Sequence, residues 1–401
     1  MTTPLHLFEA FGIEVETMVV RADSLAVAPA APWFLERAAG QPGASDAEWA
    51  AVTWSNELVS HVLELKTTVP EPGFAPAAEA MALAAQRADR MLGECGARLL
   101  PGGAHPWMDP AAETVLWAGD YSEVYQSYHR LFDCRQHGWA NLQSCHLNLP
   151  FCGDEEFGRL HAAARLILPI LPALCASTPY LDGKRSRFLD ARLDTYRLNQ
   201  ARFPALSGDV IPEPVFTEET YRAQVLSPVR EAVAAHDPSG LLEADFLNSR
   251  GAIARFDRGS VEIRLMDAQE CPRADVALCA LVSAVLREMV GERWSTWEDQ
   301  KRVGTAPLVA ILDRTIREAE GAAIDDAQFL RQFGISDPLP AGALWSVLHG
   351  AVAPELAEIS AEIIASGSLA TRLAASASRG GMAAAYARLA DCIRDDHLFL
   401  P

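Results

Sequence analysis

Two residues of opposite charge stand inside an apolar run at 261–267, Val-Glu-Ile-Arg-Leu-Met-Asp. Side chains alternate along a β-strand, so Glu262 and Arg264 would share one face while Val261, Ile263 and Leu265 share the other. An acid and a base on the inner face of such a strand are costly to desolvate unless something binds them. They read as facing a cavity for metal and phosphate, and as a divided pair rather than a salt bridge. Glu262 would meet the metal and Arg264 the phosphate.

Other segments bring similar chemistry. GIEVE (12–16) lies in a strand predicted over 7–20, with Ile13, Val15 and Thr17 on one face and Glu14 and Glu16 on the other. Two carboxylates on one face repel each other, and a cation relieves them. A second extended segment, Glu57–Val69, carries Glu57 and Glu64. Seven residues apart they would face opposite ways on an ideal strand, so a bulge or bend is needed to bring both inward. A strand over 141–151 would set Ser144, His146 and Asn148 on one face. Residues 177–203 form a basic island, where Arg192 and Arg197 could clamp a substrate carboxylate bidentately.

The sequence contains no GxxxxGK[ST] loop, no GxGxxG after a first strand, no HExxH and no GxSxG. If ATP is used, metal and Arg must hold its phosphates. Four or five carboxylates plus one His suit several hard divalent ions, Mg²⁺ or Mn²⁺, better than one zinc.

The strands alternate with helices predicted over 76–95, 154–176 and 272–290, the second interrupted by Pro169 and Pro172. From 306 onward only helical patterns are found. The expected fold is α+β: a mainly antiparallel sheet with helices on one side and a helical C-terminal region. No linker poor in apolar residues marks a boundary. The chain therefore reads as one domain over 1–401, with a sheet-bearing core at 1–290 and helices at 291–401.

A net charge of −19 argues against nucleic acid or an anionic membrane as the main partner. Eight cysteines without a CxxC pair read as reduced thiols in a cytoplasmic protein. The N-terminus lacks the pattern of a signal peptide. The most apolar run, Leu166–Ala176, is eleven residues and too short to span a bilayer.

The order GIEVE, ELVSHVLELKT, a strand with a central His, ASTPYLDG followed by Arg, and GSVEIRLMDAQ before an Ala/Leu-rich helix resembles the bacterial glutamate–cysteine ligase type 2 family. That family groups γ-glutamylcysteine ligases with related carboxylate–amine ligases, in the superfamily of glutamine synthetase and guanidino kinase catalytic domains. The match runs from about residue 8 to 290.

The resemblance implies a twisted, funnel-shaped sheet, with ATP entering one end and the amino-acid substrates the other. Mg²⁺ ions would lie between the nucleotide phosphates and the sheet. Carried over by position, Glu14 and Glu16 match the first metal ligands, and Glu57 and Glu64 the second acidic stretch. His146 matches a metal or phosphate ligand and Glu262 a further metal ligand. Arg264 matches the cation that meets the transferred phosphoryl group, and Arg192 the Arg for the substrate carboxylate. Where many members have His-x-His, this chain has Cys145-His146-Leu147-Asn148.

The implied reaction is ATP-dependent amide formation through an acyl phosphate, with γ-glutamyl transfer to an amine such as cysteine. The alternatives are a ligase for another carboxylate or amine, a guanidino kinase-like phosphotransferase, and a non-catalytic nucleotide-binding homologue. Partners would be small molecules, and a homo-oligomer is left open.

Overall fold

The computed structural model describes residues 4–237 and 240–400. Alternation of apolar and polar side chains makes Gly12–Arg21 a two-faced strand, β1, and the rest of the sheet is laid on its two edges. Strands β2 (Asp46–Trp49), β3 (Val52–Asn56) and β4 (Val62–Thr67) form a meander on one side. Strands β5 (Ala97–Leu100) and β6 (Ser144–Pro150) share the other. A two-residue hairpin, β7 (Tyr180–Leu181) and β8 (Lys184–Arg185), stands apart within the basic island. Strands β9 (Ala252–Arg255) and β10 (Ser260–Asp267) complete the sheet in the order β2-β3-β4-β1-β6-β10-β9.

All of these pairings are antiparallel. Along β1, β6 pairs with Gly12–Val15 and β5 with Met18–Arg21, so the sheet divides at Glu16 and Thr17. There the carboxylate of Glu16 accepts the Ser144 backbone N–H at 2.7 Å. A side chain thus satisfies a donor that the diverging strands leave over.

One face of the sheet is apolar. Ile13, Val15, Leu65, Leu147 and Ile263 pack in one buried cluster with Met81, Leu160 and Leu281 of three covering helices. Those helices are Phe74–Gly93, Gly153–Ile167 and Pro272–Val290, close to the expected spans. The second gives way at Pro169 and Pro172 to a 3₁₀ turn, Leu168–Ile170, and a short helix, Leu171–Cys175. Gly153–Cys175 is long and apolar enough to cross a membrane, but 94% of its most apolar window is buried inside the fold. It is a core element. With helices on the apolar face, the carboxylates of β1, β4 and β10 are left to the other.

Two expectations need correction. Glu57–Val69 is not one extended segment: β3 ends at Asn56 and β4 begins at Val62, with a turn between them. The C-terminal region is also not purely helical, because Ala323–Ile324 (β11) pairs with Leu339–Pro340 (β12). That region is tied to the sheet by a buried ion pair, Arg372 with Glu270, three residues beyond β10. Phe399 donates its N–H to Glu270 and gives its carbonyl to Arg372.

Candidate active site

The sheet registers set the polar face. Glu14 lies between Lys66 of β4 and His146 of β6. Glu16 is opposite Glu64, which is opposite Ser55 of β3. Glu57 follows Ser55 by two residues and leaves the same face. Of the bulge or bend expected there, the structure has the bend: the β3–β4 turn brings Glu57 and Glu64 together.

A bulge occurs instead on β10. Ile263 pairs with Leu147 and Met266 with Cys145, so two residues, Arg264 and Leu265, stand against the single residue His146. An extra residue resets the alternation. Asp267 now falls opposite Ser144, on the site face, where strict alternation would have turned it to the helices.

Glu14, His146 and Glu262 each offer a ligand atom, all within 4.8 Å of one another. His146 Nδ1 is 3.2 Å from Glu14 Oε2 and 3.7 Å from Glu262 Oε1, and Nε2 is 2.9 Å from Ser144 Oγ. Asn148 donates to Glu14 Oε1 at 3.1 Å. Two carboxylates and an imidazole are donors that suit Mg²⁺ or Mn²⁺.

Burial works against ionisation of Glu14, but the hydrogen bond and charge of His146, with Lys66 and Arg264, bring its pKa down to about 2. Burial likewise opposes charging His146, yet Glu14, Glu262 and Glu16 raise it above the usual imidazole value. At Glu57 the charge of Lys66 and the Leu58 backbone N–H favour the carboxylate but do not prevail. Burial, then the charges of Glu64 and Glu16, push its carboxyl well above the ordinary range.

A carboxyl that holds its proton more tightly when folded loses stability as pH rises from its unfolded pKa toward the raised folded one. Glu57→Gln removes that charge while keeping the shape. It is expected to stabilise the protein at pH 7 in EDTA by about 0.5–2 kcal/mol, read from urea unfolding. A loss of stability would show that the carboxylate is compensated.

Glu262 and Arg264 are not divided. Arg264 donates from Nε and Nη2 to the same oxygen, Glu262 Oε1, at 3.0 and 2.6 Å. The two are neighbours on one strand face in a cavity of low dielectric, where opposite charges close on each other. Arg192 is turned toward this strand. Its guanidinium donates to the Arg264 and Leu265 carbonyls at 3.1 and 3.3 Å and to Asp267 at 3.3 Å. Arg192 and Asp267 are buried, and Asp267 also accepts from Ser177 and Thr178. Arg192 thus clamps the bulge that carries Arg264, while its Nε is buried without a partner among the described residues.

Arg197 is a correction. Its guanidinium is held by Asp194 and by Asp313 on the helix Thr305–Glu318, and it does not line the cavity.

The cavity measures about 410 Å³ and is lined by all five predicted glutamates, His146, Arg192 and Arg264. A second chamber of about 720 Å³ adjoins it, sharing Glu57, Glu64, Lys66, Tyr125, Arg255 and Arg258. Sequence reasoning had not singled out Lys66, Tyr125 or the two arginines. Lys66 carried a usable signal, since it follows Glu64 by two residues in the same alternating run. Arg255 ends β9 and Arg258 lies in the turn into β10, and no local spacing pointed to them.

The family match places this antiparallel sheet, with its acidic, arginine-bearing cavity, among ligases of the carboxylate–amine type. Residues 10–314 match glutamate–cysteine ligase family 2, and the chain belongs to that family. Over 248 residues it is 36% identical to an uncharacterised protein of Archaeoglobus fulgidus, covering 62% of this chain and 66% of the other. Over 294 residues it is 28% identical to a Nocardioides protein named "Putative glutamate--cysteine ligase 2-1", covering 71% and 69%. The chain thus spans about two thirds of the length of these relatives. A glutamate–cysteine ligase of Francisella tularensis, solved in complex with AMP, superposes with a TM-score of 0.60 over 98% of this chain and 90% of that one. At 13% identity this likeness is one of fold.

Proposed function

We propose that the chain is a single cytoplasmic catalytic domain that joins a carboxylate to an amine at the expense of ATP. The first reaction to try is γ-glutamyl transfer to an amine such as cysteine. The observation that carries this reading is the convergence of Glu14, His146 and Glu262 beside Arg264 on the open face of the sheet. The AMP held by the Francisella neighbour supports a nucleotide in this fold.

In the proposed reaction a carboxylate oxygen of the first substrate attacks the γ-phosphorus of ATP, and ADP leaves. The amine of the second substrate then attacks the acyl carbon, loses a proton and expels phosphate. Phosphoryl transfer of this kind is catalysed chiefly by positioning and charge neutralisation. Glu14, His146 and Glu262 would hold a divalent ion, with Glu16, Glu57 and Glu64 completing the acidic wall. Such an ion supplies charge screening for the triphosphate. Arg264 would meet the phosphoryl group with donors now spent on Glu262. Arg192 would keep the bulge in place and offer its free Nε–H to the carboxylate end.

Purified protein with ATP, Mg²⁺, glutamate and cysteine is expected to release ADP only when both amino acids are present, and to stop when EDTA is added. Mass spectrometry of the product separates an amide from a phosphorylated guanidine. A panel of other carboxylates and amines separates the glutamate–cysteine reaction from related ligations. ATP binding without turnover under every substrate pair would overturn the proposal.

A further inference from the structure

The carboxylates of the cavity fall into two unlike halves. In one, Glu14 and Glu262 flank an imidazole, and the three donors converge. In the other, Glu57 and Glu64 crowd together, and the neighbour they have in common is an amine. Lys66 leaves the same face of β4 as Glu64, with Nζ 2.8 Å from Glu64 Oε2. That oxygen also accepts from Ser55 Oγ at 2.6 Å, so its lone pairs are engaged. Across the sheet Lys66 is directly opposite Glu14, which places it at the seam between the halves. It also lines both chambers, together with Glu57 and Glu64.

We propose that Lys66 is the resident cation of the Glu57–Glu64 half, standing where a second divalent ion would otherwise be held and turning its remaining donors to the anionic substrate. This rests on the metal reading of the Glu14–His146–Glu262 half. An ammonium carries three donors, of which Glu64 takes one. It is a compact point charge suited to phosphate, and unlike a metal it needs no particular coordination geometry. A divalent ion bound to Glu64 would have to displace Lys66 or sit against its positive charge, which Coulomb repulsion opposes. The acidic wall is thus served by two kinds of cation, one bound and one built into the chain.

The test counts Mn²⁺ per chain from the loss of the free-ion electron paramagnetic resonance signal on titration, with circular dichroism and thermal unfolding as checks of folding. The intact protein is expected to take up one Mn²⁺ in this site. Lys66→Met, which keeps the length and removes the charge, is expected to take up a second. Adding Glu57→Gln to it should abolish that second ion, and Lys66→Arg should behave as the intact protein does. The proposal falls if Lys66→Met binds no more Mn²⁺ than the intact protein. It also falls if the intact protein already binds two and Glu64→Gln removes one. Glu262→Gln keeps the underlying reading separate: unchanged Mn²⁺ uptake there would sink the metal role of the other half, whereas the second ion in Lys66→Met is scored independently.

Discussion

Arg264→Ala is expected to lower carboxylate- and amine-dependent ADP release by about 10²-fold or more while leaving the protein folded. Arg264 is the arginine of β10 on the cavity face, and its Nε and Nη2 both donate to Glu262. Burial disfavours its charge, but Glu262 more than compensates, so it stays cationic throughout the working pH range. A guanidinium presents its donors as a planar fork, which matches two oxygens of a phosphoryl group at once. That match is worth most where charge develops in the transition state, so the loss should appear in kcat more than in KM for ATP. Arg264→Lys would restore the charge without the fork and recover only part of the rate. Steady-state kinetics on all three proteins decide the matter. Undiminished turnover in Arg264→Ala would remove Arg264 from the phosphoryl site.

How far the sequence carried is visible at particular residues. The faces of β1, β6 and β10 could be read because a period of two assigns each side chain to one side. That is how Glu14, Glu16, His146, Asn148 and Glu262 were placed together. The β10 bulge could not be read this way. It is a property of the pairing with β6, where Arg264 and Leu265 oppose one residue. Nothing in Val-Glu-Ile-Arg-Leu-Met-Asp announces the extra residue.

The turn at 57–61 was hidden for a different reason. Leu58, Val59 and Val62 continue an apolar pattern that looks extended, while the chain reverses after Asn56. The arginines were hardest, because their partners are distant in sequence. Arg197 is held by Asp194, three residues before it, but also by Asp313, 116 residues away, and Arg192 by Asp267, 75 away. An arginine-rich segment shows that guanidiniums are present, but not which of them remain free. The short β11–β12 pairing was similarly invisible, since two residues per strand leave no period to detect.

Glu262 is where the second large effect is expected. Its Oε1 accepts both Arg264 donors and stands 3.7 Å from His146 Nδ1, so one carboxylate serves the arginine and the candidate metal donors together. Glu262→Gln keeps the volume and removes the charge. Mn²⁺ affinity should fall by about 10–100-fold or more, the range seen even for groups one step removed from a metal. Turnover should fall by at least about 10²-fold, as for loss of a preorganised electrostatic group. Arg264, left beside a neutral amide, would lose the partner that orients it.

The two single losses should therefore overlap. In the double variant Glu262→Gln/Arg264→Ala, turnover should be close to that of the worse single variant, with a coupling of about 0.5–3 kcal/mol in the cycle. Full additivity would instead mean that the two side chains act independently. The contacts at 3.0 and 2.6 Å would then be a resting arrangement that dissolves before chemistry, and the divided pair suggested by the sequence would describe the working state.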